Sequence, residues 1–298
     1  MAVARVRVVS LLPSATEILF AVGAGDSVVG VTFECDHPVE ARSRRIVSDT
    51  SMPPGLAPGE IDAWVRARLA DGADLYHLDD GALRDLDPDV VVTQDLCAVC
   101  ALDVSDVDAA LQHLGCRAEV VSLDPMTLAD VLDSVVTVGA AVGRIGAAKD
   151  LVASLRARLD AVAAAVADRA APRVAIVEWT DPLFCAGHWL PDMVAAAGGV
   201  EVLGVPGGRS HPVEWSAIAE ARPDAVVVAP CGNRLDGAAA LARTVLDRLP
   251  AGVPVYATDA DATFVRPGPR LVDGVEALAA MLHPDAGLEP RPDVLRKV

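Results

Sequence analysis

Short β-branched apolar runs alternate along this chain with longer stretches in which Ala and Leu recur at helical spacing. The runs RVRVVSLL (5–12), SVVGVT (27–32), PDVVVTQ (88–94) and AEVVSL (118–123) predict strands in the first half. RVAIVEW (173–179), DAVVVAP (224–230) and VPVYAT (253–258) predict strands in the second. Between them the pattern predicts helices over 15–22, 59–71, 80–86, 104–115, 127–142, 147–169, 189–197, 214–221, 236–247 and 268–282. Strands that are apolar almost throughout, interleaved with helices, predict parallel sheets covered on both faces.

The 147–169 stretch is the longest, and at 1.5 Å per residue it would span roughly 35 Å, enough to bridge two lobes. A second signal points the same way. LRDLDPDVVVTQDLC (83–97) is echoed by IAEARPDAVVVAPCG (218–232): helix end, Pro-Asp turn, β-branched strand, then a cysteine. One such echo is too sparse for a solenoid and fits two lobes of similar build. The expected organisation is an N-terminal lobe over 1–125, linking helices over 126–171 that include the long one, and a C-terminal lobe over 172–298.

Composition narrows the function classes. With 298 residues, 52% of them hydrophobic, the chain can bury a large core and is not a disordered chain. A net charge of -17 argues against nucleic acid, whose phosphates it would repel. Ser14 and Glu17 have the spacing of a capping box, so the apolar start reads as strand, turn and helix rather than as a secretion signal. On that basis a cytoplasmic location is expected, where cysteines stay thiols or bind metal.

In open parallel sheets ligands bind beyond the carboxyl ends of the strands. Five of the six cysteines fall in those loops. After the second strand come Cys35 and His37, and after the 88–94 strand come Cys97 and Cys100 at CxxC spacing. Cys185, His188 and Trp189 follow the 173–179 strand, Cys231 follows the 224–230 strand, and Phe264 and Arg266 follow the last. Cys35, Cys97, Cys100 and Cys231 are candidate soft ligands for Zn or an iron–sulfur cluster, with His37, His188 and Cys185 as alternatives. Trp189 and Trp64 could instead offer flat apolar surface to a large planar ligand. No dinucleotide-binding glycine pattern, phosphate loop, zincin helix or nucleophile elbow is present in the sequence.

The opening RVVSLLPSATEILFAVGAGDSVVGVT, the PDVVVTQ strand, the long helix, AAAGGVEVLG and RPGPRLVDGVEALAAML together resemble the two-lobed solute-binding proteins of the siderophore and cobalamin group. The ECDHP, QDLCAVCA and GHW loops resemble signal-less cobalamin-binding relatives. The resemblance implies an α/β fold of two Rossmann-like lobes with parallel sheets, one inter-lobe helix and a ligand cleft between lobes. It implies non-catalytic binding of a corrinoid such as cobalamin, or a related metal chelate, through Trp189, His188, Trp64, Cys97, Phe264 and Arg266. Docking on an ABC permease would use Asp79 or Asp80 and Glu214, although the expected lack of an export signal argues against capture outside a membrane. A monomer is expected. The alternative is a metalloprotein holding an iron–sulfur cluster or Zn through the cysteines, with redox or Lewis-acid activity.

Overall fold

The structure, a computed structural model, describes residues 6–71, 73, 75–94 and 118–298. It is α/β and divides into two compact units, 1–124 with 132–153 and 125–131 with 154–298. The helix expected over 104–115 lies outside the described residues.

The first unit carries strands β1 (Val8–Ser10), β2 (Val28–Thr32), β3 (Arg45–Thr50), β4 (Tyr76–Leu78), β5 (Val90–Gln94) and β6 (Glu119–Leu123). They form one sheet in the order β4-β3-β2-β1-β5-β6. All neighbours are parallel except β3 and β4. The strands Val8–Ser10 and Val90–Gln94 are buried at every position, as their unbroken apolar runs require in a sheet covered on both faces. Helices α1 (Pro13–Ala21), α2 (Pro58–Ala70) and α3 (Asp80–Leu86) connect them. Val9, Leu11, Val47, Ala82, Leu83 and Val91 form a core cluster between sheet and α3.

The expected capping box is not what starts α1. Pro13 takes the first helical position, Leu12 is the N-cap without a side-chain bond, and Ser14 lies one residue inside the helix. A proline fits there because its missing N–H is one the first turn leaves unused.

Helices α4 (Leu128–Ala141) and α5 (Ile145–Val166) follow, and the division between the units falls inside α5, after Ala153. The second unit contains β7 (Arg173–Thr180), β8 (Leu183–Cys185), β9 (Val200–Glu201), β10 (Ala225–Val228), β11 (Val255–Thr258) and β12 (Leu295–Lys297). Their order is β12-β11-β10-β7-β8, with β9 also on β7. The central β11-β10-β7 run is parallel, while β8 and β12 are antiparallel additions. Helices α6 (Leu190–Ala196), α7 (Trp215–Ala221), α8 (Leu235–Thr244), α9 (Ala260–Thr263) and α10 (Leu271–Leu282) complete it. Ala175, Val177, Ile218, Val226, Val228, Ala238, Ala242 and Ala257 pack one face of this sheet. Alanine on the helix side lets α8 lie close to the β-branched strands.

Arg158 on α5 fixes that helix to α10. Its guanidinium donates to both oxygens of Glu276 at 2.8 and 2.7 Å and to Asp273 at 2.5 Å. These carboxylates hold the Arg158 pKa above its ordinary value, Glu276 foremost, against the opposing effect of burial.

Candidate functional site

In the second unit the strand-end loops are braced by two glutamates. Glu178, near the end of β7, accepts the Gly187 amide on Oε2 at 3.1 Å, and its Oε1 stands 4.0 Å from the Cys231 thiol. One carboxylate therefore touches the loops after β8 and after β10. Gly187 has no room for a side chain, since a Cβ there would meet Ser210 N at 2.1 Å and the Ser210 and Arg209 backbone within 2.8 Å. His188 follows with φ 53, a left-handed conformation that disfavours any residue with a Cβ by roughly 1–2 kcal/mol. Its N–H donates to Gly208 O at 2.5 Å and its C=O accepts from Gly207 N at 3.1 Å, which fixes the turn.

Glu201 holds the other side of this turn. Its carboxylate accepts the amides of Ile176 at 3.2 Å, Leu203 at 2.8 Å and Gly204. Gly204 lies so close to Ala186 that a Cβ would meet the Ala186 oxygen at 2.3 Å. Burial pushes the Glu201 carboxyl above its ordinary range, and the three amides pull the other way. The result is a half-buried imidazole on a fixed turn that follows the antiparallel strand β8.

Several expected site residues have other surroundings. Trp189 is 4% exposed and its indole donates to Phe264 O at 2.6 Å, while Phe264 itself is fully buried. These two rings belong to the packed interior of the unit, so neither the flat ligand-facing surface expected of Trp189 nor the ligand contact expected of Phe264 is there. Arg266 is also buried and pairs with Asp261 at 3.0 Å. Cys185 is buried against the ring of His211, 3.4 Å from Nδ1, and burial raises its thiol pKa. A neutral buried thiol is a poor metal ligand. Cys231 is half-buried beside Glu178.

In the first unit Cys35 is buried too, with its sulfur 3.0 Å from Thr16 Oγ1, and Thr16 in turn donates to Ser10 Oγ at 2.9 Å. Thr32 at the end of β2 accepts from Ser48 Oγ at 2.7 Å. His37 is exposed before a cis Pro38. Trp64 is half-buried with the Arg68 guanidinium 5.7 Å over its ring. Asp79 caps α3 by accepting the Ala82 amide at 2.8 Å, which gives its carboxylate a local role. The Asp80 side chain, Cys97 and Cys100 lie outside the described residues, and Glu214 is exposed at the start of α7. Among the described residues no group of three or more His, Cys, Asp or Glu is arranged to hold a metal ion. Among them, too, no helix is long and apolar enough to cross a membrane.

An aromatic pair at the strand ends escaped the sequence reading. Phe33 directly follows β2 and is 37% exposed, and its ring centroid lies 6.2 Å from that of Tyr76. Tyr76 pairs with Thr50, the last residue of β3, so both rings stand at the carboxyl edge of the sheet. Aromatic residues are only 3% of the chain, and two of them side by side at this edge were the available signal.

Comparison with known proteins gives a consistent assignment. The family described as periplasmic binding protein matches residues 8–261. The chain is 25% identical over 295 residues to the uncharacterized ABC transporter substrate-binding lipoprotein YvrC of Bacillus subtilis, covering 94% of this chain and 80% of that protein. Its fold is similar to that of a periplasmic heme binding protein from Pseudomonas aeruginosa, with TM-score 0.71, 23% identity, and 98% and 97% of the two chains covered. It is similar also to the periplasmic vitamin B12 binding protein BtuF of Vibrio cholerae, with TM-score 0.67, 20% identity, and 93% and 96% covered. The expected cytoplasmic location is overturned by these relatives: they are a lipoprotein and periplasmic proteins, which indicates a place outside the cytoplasm.

Proposed function

The chain belongs to the periplasmic binding protein family, and from that premise we propose that it is the non-catalytic receptor of an ABC importer for a metal macrocycle, a corrinoid first. The observation that carries this reading is the half-exposed Phe33 beside Tyr76 at the carboxyl edge of the first sheet. Phe33 is exposed and Tyr76 half-buried, and a flat apolar ligand laid on the pair would take further ring surface out of water. The named ligands of the relatives, heme and vitamin B12, are both planar rings around a metal.

Cyanocobalamin and hemin titrated into the purified protein, followed by absorption and calorimetry, test the proposal. Saturable binding of cyanocobalamin at one equivalent is expected, weakened about tenfold or more by Phe33→Ala or Tyr76→Ala. Binding of hemin alone would reassign the macrocycle, and binding of neither would overturn the reading. Glu214 is the exposed acid proposed for permease docking. Glu214→Lys should leave ligand affinity unchanged and reduce transport in cells.

A further inference from the structure

We propose that the N-terminus of α1 receives an oxyanion of the bound solute, a carboxylate or a phosphate group; this rests on the solute-binding reading above. Three observations lead there.

The sheet order β4-β3-β2-β1-β5-β6 means that the chain leaves β1 toward β2 and later returns to its other side with β5. The switch point of the sheet is therefore at β1 and β5, the place where parallel sheets open for ligands. Only Leu11 and Leu12 separate β1 from α1, so the helix begins at that point.

The first turn of α1 is bare of its own acceptors. Leu12 provides no side-chain cap, the first turn holds no acidic residue, and Pro13 has no N–H. The first backbone bond into the helix runs from Thr16 N to Leu12 O at 3.2 Å, so the Ser14 and Ala15 amides precede the ladder.

Ser14 is the independent mark of a ligand. It is 1% exposed, and its Oγ has no hydrogen-bond partner among the described residues. Its neighbours are satisfied: Ser10 Oγ donates to Leu12 O at 3.0 Å and Thr16 Oγ1 to Ser10 Oγ at 2.9 Å. The Cα–Cβ bond of a helical residue tilts toward the helix N-terminus, which aims the Ser14 hydroxyl at the same point as the amides.

Two amides, one hydroxyl and the positive end of the helix dipole together ask for an anionic oxygen. Glu17, one turn further on the same helix, is buried and already engaged.

The test pairs probes that differ in the anion. Cyanocobalamin carries a phosphodiester that dicyanocobinamide lacks, and hemin carries carboxylates that its dimethyl ester lacks. Wild-type protein should prefer the anionic member of whichever pair it binds. Ser14→Ala should weaken that member roughly tenfold, leave the neutral member unchanged, and be rescued by Ser14→Thr. The thermal midpoint of Ser14→Ala should not fall, since it removes a hydroxyl with no partner. Equal loss for both members, or no wild-type preference, would overturn the proposal. If only the hemin pair binds and discriminates, the corrinoid reading fails and the oxyanion site stands. If neither pair binds wild type, both fall.

Discussion

Glu178 Oε2 accepts the Gly187 amide at 3.1 Å and so ties the end of a central strand to the turn that carries His188. Glu178→Ala removes that acceptor and leaves the buried amide unpaired, at a cost of about 1–3 kcal/mol. The turn would then lose one of its fixed points. Thermal unfolding should show the loss, and exchange of the Gly187 amide with solvent deuterium should quicken with it. Glu178→Gln, which keeps an acceptor oxygen, should recover most of both.

Gly187→Ala probes the same turn from the other side. Its Cβ would stand 2.1 Å from a backbone nitrogen, and neither Ser210 nor Arg209 can swing its main chain aside as a side chain could. Overpacking of this kind typically costs about 1–3 kcal/mol, and here the higher end is expected. A denaturant titration showing wild-type stability would contradict the packing described.

Much of the architecture was legible because burial imposes its own sequence. The strands Val90–Gln94 and Arg173–Thr180 fall within a residue or two of their apolar runs, since a strand covered on both faces has few polar positions. The strands Leu183–Cys185, Val200–Glu201 and Leu295–Lys297 were not legible. They are short edge additions, β9 and β12 on strands distant in sequence and β8 in a tight hairpin with β7, and two or three residues carry no period. The strand ends were identified as the place for polar and sulfur-bearing loops, whereas Cys185 lies inside β8. What each side chain does there was not legible, because it depends on direction. Trp189 turns inward to Phe264, and Cys35 turns to Thr16, whereas Phe33, two residues earlier, turns out. Alternation along an irregular loop has no fixed phase, so spacing alone could not separate them.

Trp189→Phe separates a structural tryptophan from a ligand-binding one. The ring volume largely remains and the bond to Phe264 O is lost. A loss of about 1 kcal/mol in unfolding free energy is expected, with macrocycle affinity unchanged within twofold. A large loss of affinity at unchanged stability would return Trp189 to the binding surface.

Arg158 links α5 to α10 through two carboxylates at once, so Arg158→Lys is not a conservative change. A lysine cannot make the forked contact with Glu276 while also reaching Asp273. With the guanidinium partly solvated, about 1–2 kcal/mol of stability should be lost. The loss should shrink as salt is raised, because the wild-type pairs are themselves screened. An unfolding series in low and high salt checks both statements.

Glu201 sets a pH dependence of definite sign. Burial raises its pKa in the folded state above the ordinary 4.5, so the folded protein holds this proton more tightly than the unfolded chain does. Its contribution to stability is therefore complete below the unfolded value and is lost as pH rises through the folded one. Glu201→Gln cannot ionise and should lack this slope. It should also bring one acceptor oxygen instead of two to the amides of Ile176, Leu203 and Gly204, and so be less stable at acid pH. The gap between wild type and variant should narrow as pH climbs from about 4.5 toward neutrality, because only the wild type then holds a buried charge. Parallel stability curves for the two proteins across that range would show that the Glu201 proton is not coupled to folding.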